Sequence, residues 1–293
     1  MKGSLFILEC LTNLHVGSGS FNYDIVDNQV ERDVITNYPT IYSSSLKGAM
    51  REHFRRERIA KSQIEAVFGG EYKITHKSEG RVPNESVAGK VKFFDCKLLA
   101  LPVRSSKGRY PYYMVTTKEM LEEFCLWAQL MTEEVLNLCV EEKIYFIGNE
   151  NVEEVGLEYL EEAGNVTKLE VSVLNGIFSH QESILKKGLF VLPQEKFNEL
   201  SLPIRARNCL GNSKSINLWY EEHVPYKSLF YTSFMANGEK DSEEAHNTLA
   251  ALLENNIVQV GGNASIGFGL IEFKKWGNSG DQQKGSRKIK KNI

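Results

Sequence analysis

The chain has 293 residues, of which 42% are hydrophobic and 25% are charged, and its net charge at pH 7 is −3. This composition excludes a mainly disordered protein and allows one large α+β domain or two fused small ones. No apolar run approaches the roughly 20 residues of a membrane span, so no membrane partner is expected. The five cysteines are scattered without metal-binding spacing, which predicts a reducing, cytoplasmic location and no structural metal.

The charge is distributed unevenly along the sequence. Between Leu46 and Arg109 there are 15 Lys and Arg against 7 Asp and Glu, whereas between Glu119 and Glu170 there are 2 against 14. The basic segment predicts a surface for a polyanion, and the acidic segment predicts a surface turned toward a different neighbour. Two differently solvated helical faces would give the same pattern, so charge alone leaves both interpretations open.

The N-terminal part of the sequence predicts a strand followed by a basic helix. Residues Ser4–Leu11 are rich in β-formers and lead into a loop of glycine and serine. Further on, Leu46, Met50 and Phe54 recur every four residues, which predicts an amphipathic helix. The serines at 43–45 are available to cap its N-terminus.

The middle of the sequence predicts a loop, a strand and two helices. Few apolar residues and many turn formers occur in Glu71–Gly89, which is predicted to be a mobile loop. Strand character resumes at Lys90–Val103. Helices are predicted over Thr116–Leu130, with Thr116 or Thr117 as the cap, and over Glu133–Val140.

The C-terminal part predicts a hairpin, a helix and a glycine-rich loop between strands. Strands are predicted at Leu200–Arg207, Ile216–Tyr220 and Leu229–Met235, and an amphipathic helix at Asp241–Asn255. Because one face of the hairpin is expected to be buried, Trp219 and Tyr220 are predicted to be packing residues. The glycine loop, Gly261–Gly269, lacks the Lys and Ser/Thr of a P-loop and is not followed by a helix, so it is either a phosphate cradle or a plain turn.

The order of strands and helices predicts an α+β fold with a ferredoxin-like or RRM-like core. We predict one domain over residues 1–276, with insertions around 71–89 and 116–200 and a hairpin around 204–224. The basic segment 277–293 lacks periodicity and is predicted to be a disordered tail.

Five segments in fixed order resemble the RAMP superfamily and, within it, the backbone subunits of the Cmr complex, the type III-B CRISPR effector. The resemblance runs from Leu5 to Phe273. It implies a multi-copy protein that stacks into a helical filament along CRISPR RNA and inserts a thumb hairpin into the guide–target duplex. The segments are "LHVGSGS" (Leu14–Ser20), "PTIYSSSLKGAMREHF" (Pro39–Phe54), "LLALPVRSSKG" (Leu98–Gly108), "NLWYEEHVPYKSLFY" (Asn217–Tyr231) and "QVGGNASIGFGLIEF" (Gln259–Phe273).

The same resemblance implies an endoribonuclease that cuts target single-stranded RNA beside each thumb. The family's catalytic Asp matches Asp27 in "IVDNQ", with Asp24 as a second candidate. His15 and Glu222 match positions near that site, and Glu221 is the neighbour of Glu222. A loop carboxylate that holds a hydrated Mg²⁺ or Mn²⁺ needs only a single contact, so Asp27 is also the expected metal ligand. The alternatives are a capping role for the loop aspartates, a loop histidine that hydrogen-bonds the backbone for His15, and a solvated strand pair for Glu221 and Glu222.

The resemblance also implies a set of RNA-binding residues. Hydroxyl and cationic side chains at the start of the basic helix would meet guide phosphates, and cations on the thumb would follow the backbone of the duplex. A solvated helix face is the alternative for the first group. The expected residues are Ser44, Ser45, Lys47 and Arg51 on the helix, Arg205, Arg207 and Lys214 on the thumb, and Gly261, Gly262 and Gly267 in the glycine loop.

The sequence departs from the family at two loops. Tyr42-Ser43 replaces a Pro-Gly pair before the serine run, and Asn28-Gln29 occupies a place where a proline is common. Without that proline, Asp27 is expected to be held less rigidly. Neither change removes a chemical group, so the expected partners remain CRISPR RNA, target RNA, further copies and other Cmr subunits.

Three alternative functions remain open from the sequence. The chain could be a structural guide-binding subunit without cleavage activity, the type III-A counterpart, or a RAMP protein that processes CRISPR RNA alone. The structural guide-binding subunit differs from the expected endoribonuclease only in the role of Asp27.

Overall fold

The computed structural model describes most of the chain between residues 3 and 277. The described residues are 3–19, 26–70, 74–77, 80–83, 87–136, 138, 141, 143–148, 155–158, 160–162, 166–168, 174, 177–178, 187–211 and 214–277. Asp24 and the predicted disordered tail beyond Gly277 lie outside these residues. Among the described helices, none combines the length and apolar character needed to cross a bilayer.

Strands outnumber helices among the described elements of the chain, and several strands follow one another without an intervening helix. The strands are β1 (Gly3–Cys10), β2 (Ile74–Lys77), β3 (Gly80–Pro83), β4 (Val91–Phe93), β5 (Lys97–Arg104), β6 (Tyr112–Thr117), β7 (Tyr145–Ile147), β8 (Val155–Leu157), β9 (Leu160–Glu162), β10 (Thr167–Lys168), β11 (Leu189–Leu192), β12 (Ile204–Gly211), β13 (Lys214–Glu222), β14 (Leu229–Ala236), β15 (Ile257–Gln259) and β16 (Leu270–Trp276). The helices are α1 (Ser43–Arg56), α2 (Lys61–Phe68), α3 (Lys118–Thr132), α4 (Gln194–Asn198) and α5 (Ser242–Leu253).

One large mixed sheet forms the centre of the molecule, in the strand order β10-β7-β11-β6-β5-β14-β1-β16-β15, with β4 also paired to β14. Each of the four central strands β5, β14, β1 and β16 is antiparallel to its neighbour, α1 lies on the crossover from β1 to β5, and α5 lies on the crossover from β14 to β16. This is the β-α-β-β-α-β arrangement of ferredoxin-like folds. The predicted α+β fold with a ferredoxin-like core is therefore confirmed.

The sheet separates two hydrophobic layers, and alternate residues of β1 enter each of them. Phe6 and Leu8 pack with the apolar faces of α1, α2 and α5, whereas Leu5 and Ile7 pack with that of α3. This follows from the period-2 geometry of a strand that is buried on both faces. The predicted stripe of Leu46, Met50 and Phe54 on α1 is buried as expected.

The start of α1 differs from the prediction. The N-cap residue is Tyr42, and no side chain caps the helix from that position. Instead, the N–H of Ser43 donates to a carboxylate oxygen of Asp95 at 2.6 Å. A carboxylate at a helix N-terminus is favourable because it satisfies an unpaired donor and faces the positive end of the helix dipole. The serine hydroxyls are thus left free of the capping role.

The prediction of a helix at Glu133–Val140 is wrong for its described residues. Thr117 caps α3 by accepting from the N–H of Met120 at 3.2 Å, and the helix then ends at Thr132. Glu133 adopts a left-handed conformation (φ 64°), and its N–H donates to the carbonyl of Gln129. This geometry terminates the helix, and residues 133–136 are not helical.

The structure differs in detail from two other predictions, the loop at Glu71–Gly89 and the hairpin. The segment predicted to be a mobile loop, Glu71–Gly89, contains the antiparallel pair of β2 and β3. The predicted hairpin exists as β12 and β13, which we call the thumb hairpin; β12 begins and ends four residues later than expected, and β13 is longer than expected at both ends. Neither of its strands has a buried face except at the base, so the prediction that Trp219 and Tyr220 pack into a core is wrong; Tyr220 is 42% exposed.

Candidate nuclease site

The segment that carries Asp27, residues 26–32, lies beside the base of the thumb hairpin; we call it the Asp27 loop. The N–H of Asn28 donates to the carbonyl of Tyr220 at 3.1 Å, and the N–H of Glu222 donates to the carbonyl of Asn28 at 2.9 Å. Asp27 Oδ2 accepts from the N–H of Tyr220 at 2.7 Å. The loop is therefore attached to β13 by an isolated parallel β-bridge between Asn28 and Glu221 and by the Asp27 side chain.

These hydrogen bonds hold the loop although the proline that is common in this segment of the family is absent. The N–H of Asn28 is one of the donors that hold the loop, so the segment is attached to β13 without the proline. The loop is fixed by this ladder. The other departure, Tyr42, also contributes, because its hydroxyl donates to the carbonyl of Arg32 at 3.0 Å.

His15 reaches the same place from the loop after β1. Its Nδ1 lies 2.7 Å from the backbone carbonyl of Glu222. Because a carbonyl only accepts, Nδ1 carries the proton, and Nε2 of the neutral ring is left with its lone pair. The side chain is 12% exposed. The ring is thus oriented by the thumb base with a proton-accepting nitrogen available.

The glycine loop supports His15 from the opposite side. The N–H of Gly262 donates to the carbonyl of His15 at 2.8 Å. Gly261 has a φ of 78°, and a Cβ there would lie 2.4 Å from the same carbonyl oxygen, so only glycine fits. Gly267 follows a short 3₁₀ helix and faces open space. The N–H of Gly262 is therefore used within the protein rather than left for a phosphate.

Glu221 joins four segments at the centre of the site. Its buried carboxylate accepts a hydrogen bond from the side-chain amide of Asn263 in the glycine loop. The same oxygen lies 3.6 Å from a guanidinium nitrogen of Arg207 on β12 and 3.7 Å from Nδ1 of His15. Such a carboxylate offsets the charge of Arg207 and, through Asn263, connects β13 to the glycine loop.

The carboxylate of Glu222 points to the Asp27 loop instead. One oxygen accepts from the N–H of Val30 at 3.1 Å, and the other accepts from the Arg32 guanidinium at 2.5 Å. The two adjacent glutamates therefore have different partners, because successive side chains of a strand point in opposite directions. The contacts of Glu222 favour a role in holding the loop.

The cations at the thumb base stack on one aromatic ring. The guanidinium groups of Arg205 and Arg207 lie 5.6 and 4.8 Å from the ring centroid of Phe268. His223 packs against the same ring. Burial, followed by the charges of the two arginines, lowers the pKa of His223 to about 4, so this histidine is neutral at physiological pH. Lys214 lies at the far end of the hairpin, opposite Gly211, and is exposed.

The proposed guide-binding residues of α1 lie on its first three turns, away from these contacts. Ser44 and Ser45 are exposed. Lys47 lies over the ring of Phe93 at 5.3 Å, and partial burial, with a smaller contribution from Arg51, lowers its pKa. The guanidinium of Arg51 donates to the carbonyl of Gly69 at 2.8 Å. Both cations are thus partly used in packing α1 against β4 and α2.

Asp27 is the expected ligand of a divalent cation, so its exposure and the partners of its carboxylate oxygens decide whether such an ion fits. No cluster of three or more metal-ligating side chains occurs in the described part of the chain. Asp27 is half-buried, and of its carboxylate oxygens Oδ2 has a hydrogen-bond partner in the described structure and Oδ1 has none. One available carboxylate oxygen suits a hydrated Mg²⁺ or Mn²⁺, which keeps most of its waters.

A groove of about 980 Å³ lies next to the Arg32–Glu222 pair. Its lining includes Tyr38, Tyr112 and Tyr226 in addition to that pair, but neither Asp27 nor His15 is among the lining residues. The groove is therefore separate from Asp27 and His15, although Glu222 and Arg32 are accessible from it.

The structure thus brings Asp27, His15 and Glu222 together with Arg205, Arg207 and the glycine loop. Sequence reasoning did not identify the contributions of Arg32 and Asn263. Arg32 is 190 residues from Glu222 in the chain, and no motif in the sequence connects the two.

A family model described as the RAMP superfamily matches residues 7–272, which is most of the chain. The chain belongs to the RAMP superfamily. Within this superfamily, the RAMP chain is 28% identical to the CRISPR system Cmr endoribonuclease Cmr4 of Pyrococcus furiosus, across 93% of this chain and 95% of that relative. It is 29% identical to the CRISPR system CMR subunit Cmr4 of Saccharolobus solfataricus, across 92% and 95% of the two chains.

Solved structures agree with this assignment. A chain in the cryo-EM structure of the type III-B Cmr-beta bound to cognate target RNA superposes with a TM-score of 0.71 at 26% identity. The superposition covers 94% of this chain and 97% of that chain. The expectation from the sequence motifs, a RAMP protein similar to the backbone subunits of the Cmr complex, is therefore confirmed.

Proposed function

We propose that this RAMP chain is a CRISPR-RNA-binding backbone subunit of a type III-B effector and that it cuts target RNA beside its thumb hairpin. The observation that carries the proposal is the half-buried Asp27, which is tied to β13 and has one carboxylate oxygen available. Relatives named as Cmr4, one of them as an endoribonuclease, support the same activity.

The proposed reaction is intramolecular attack by a ribose 2′-hydroxyl on the adjacent phosphate. A bond forms between O2′ and phosphorus, and the bond from phosphorus to the 5′-oxygen of the next nucleotide breaks. The 2′-hydroxyl loses a proton, and the departing 5′-oxygen gains one. The products are a 2′,3′-cyclic phosphate and a free 5′-hydroxyl.

The residues of the site suit different parts of this reaction. Asp27 is suited to accept or relay the 2′-hydroxyl proton, and Nε2 of His15 is a second acceptor whose ring is held by the Glu222 carbonyl. Arg205 and Arg207, fixed over Phe268, would offset charge on the phosphate as it develops. Asp27 would hold a hydrated Mg²⁺ or Mn²⁺, which would supply further charge to the phosphate.

The exposed thumb would separate the bases next to the cut. Its strands carry aliphatic side chains on surfaces that have no protein partner within the described structure, among them Ile216 and Leu218, which are 70% and 55% exposed. Such side chains are suited to insert between bases of a duplex. Because successive copies along a guide would each present one thumb, cuts at regular intervals are expected.

The test is the Asp27→Ala variant in a complex assembled with guide RNA. We expect normal assembly and target binding but no periodic cleavage, and we expect EDTA to stop cleavage by the unchanged protein. If Asp27→Ala cuts as fast as the unchanged chain, the protein is a structural subunit. Cleavage of repeat RNA by the isolated chain without metal would instead support a CRISPR-RNA processing function.

A further inference from the structure

Glu222 contacts both candidate catalytic segments through different atoms. Its backbone carbonyl accepts from Nδ1 of His15, and its carboxylate accepts from Val30 and Arg32 in the Asp27 loop. A change at this residue therefore acts on the orientation of the histidine and on the position of the loop at once.

The pattern of backbone bonds explains why the carboxylate is needed. Asn28 pairs in parallel with Glu221, and continuation of that ladder would have the N–H of Val30 donate to the carbonyl of Glu222. That carbonyl is bound to His15. The Glu222 carboxylate takes the place of its own carbonyl and accepts from Val30 at 3.1 Å. The loop can thus remain attached while His15 is held.

Arg32 keeps this carboxylate in place. The side chains of Glu222 and Arg32 are only 12% and 28% exposed, so the carboxylate is largely withdrawn from water and needs a partner of opposite charge. The guanidinium of Arg32 also donates to the carbonyl of Asn37, and its own carbonyl accepts from Tyr42. Without the arginine side chain, the carboxylate would turn toward the adjoining groove for hydration and release Val30.

We infer that Arg32 is a positioning residue for RNA cleavage, which acts through Glu222 to hold Asp27 and His15 in one arrangement. This inference rests on the proposed nuclease function. Arg32 is not required to touch RNA, because its guanidinium is occupied by Glu222 and Asn37.

The test compares Arg32→Ala, Arg32→Lys and Arg104→Ala in complexes with guide RNA. Arg104 is a matched control, since it also pairs with a glutamate, Glu158, at 2.7 Å but makes no contact with the Asp27 loop in the described structure. Three quantities are measured for each assembled complex: the single-turnover cleavage rate at saturating target, the Kd for target, and hydrogen–deuterium exchange of residues 26–32.

For Arg32→Ala we expect cleavage to slow by about 100-fold, since small displacements of reacting groups have effects of that size. The Kd is expected to change by less than about twofold. Exchange of the Asp27 loop should become faster. Arg32→Lys, which restores the positive charge, should cleave at least about tenfold faster than Arg32→Ala. Arg104→Ala should match the unchanged chain in cleavage rate, Kd and exchange.

The inference is overturned if the cleavage rate of Arg32→Ala is within about twofold of that of the unchanged chain, whatever the hydrogen–deuterium exchange of the Asp27 loop. It is also overturned if cleavage is lost while loop exchange is unchanged, because Arg32 would then act directly. Should Arg32→Ala fail to assemble, Glu222→Gln serves instead: it keeps an acceptor for Val30 but loses the charge, and the same rate criterion applies. Asp27→Ala in the same assay separates the two proposals, since normal cutting by that variant contradicts the nuclease function itself.

Discussion

Asp27 accepts a hydrogen bond from the backbone N–H of Tyr220, a residue 193 positions further along the chain. The bond is 2.7 Å long and joins the candidate catalytic carboxylate to β13, the returning strand of the thumb hairpin. The element proposed to open the RNA duplex and the group proposed to cut it are therefore parts of one hydrogen-bonded unit. Under the proposed function, the cut is expected next to each thumb.

Asp27→Asn separates the charge of this residue from its structural bond. The side-chain oxygen of asparagine can still accept from Tyr220, whereas the negative charge is lost. We expect assembly and target affinity to be unchanged and the single-turnover cleavage rate to fall by at least about 100-fold. Exchange of residues 26–28 should stay slow in Asp27→Asn and become faster in Asp27→Ala. A normal cleavage rate in Asp27→Asn would show that the charge has no role.

The sequence predicted the elements whose signals are local. The apolar stripe of α1, the cap at Thr117 and the paired strands of the thumb all depend on residues within a few positions of one another. The ferredoxin-like core followed from the order of these elements. The helix predicted at Glu133–Val140 failed in its described residues because the left-handed Glu133 ends α3, and Leu136 and Leu138 then pack against the hydrophobic layer of α3 from non-helical backbone.

The arrangement of the site depends on contacts that the sequence does not contain. Glu221 and Glu222 are adjacent and chemically identical, and only their positions on β13 decide that one joins Arg207 and Asn263 while the other joins Arg32. The exposure of the thumb was also missed, because alternating apolar residues are typical of a strand with one buried face. Here they cover a hairpin that extends away from the core.

Lys47 and Arg51 should affect RNA binding to different extents. For Lys47→Ala we expect the salt dependence of guide affinity to decrease by about 0.7 in log–log slope, the value of one phosphate contact on a single strand. For Arg51→Ala we expect a smaller change in slope together with lower stability, because its guanidinium donates to the Gly69 carbonyl. Filter binding over a range of salt concentrations and thermal unfolding measure the two effects.

Arg56→Ala is the control for that comparison. Arg56 lies on the same helix but pairs with Glu52 on an exposed face, so its removal should leave both the slope and the stability nearly unchanged. If Lys47→Ala leaves the slope unaltered, the start of α1 is not the guide surface.

The thumb should be tolerant of polar substitution. Ile216→Ser and Leu218→Ser are each expected to change the free energy of unfolding by less than about 0.5 kcal/mol, because both side chains are largely exposed. Leu249→Ala, at a fully buried site on α5, should cost about 2–5 kcal/mol in the same denaturant titration. In the assembled complex, the double thumb variant should cut target more slowly; cleavage at the normal rate and spacing would show that these side chains do not insert between bases.

His223 should make the fold sensitive to acid. Its pKa is lowered from 6.5 to about 4, first by burial and then by Arg205 and Arg207, whereas Glu221 acts in the opposite direction and the nearby His15 adds to the lowering. In the unfolded chain the imidazole takes up a proton below about pH 6.5, but in the folded chain it remains neutral until about pH 4. The unfolded state therefore binds more protons in this interval, and the free energy of unfolding decreases as the pH falls from 6.5 to 4.

His223→Gln removes this titration while keeping a polar side chain of similar size. We expect the loss of stability between pH 6.5 and pH 4 to be smaller in the variant by about 1–2 kcal/mol, after allowance for solvent screening of the charge. Above pH 7.5 the difference between the two proteins should not depend on pH, because His223 is then neutral in both the folded and the unfolded chain. Denaturant unfolding at intervals between pH 4 and pH 8 makes the measurement, and parallel stability curves over the whole range would contradict the assignment of a buried, neutral His223.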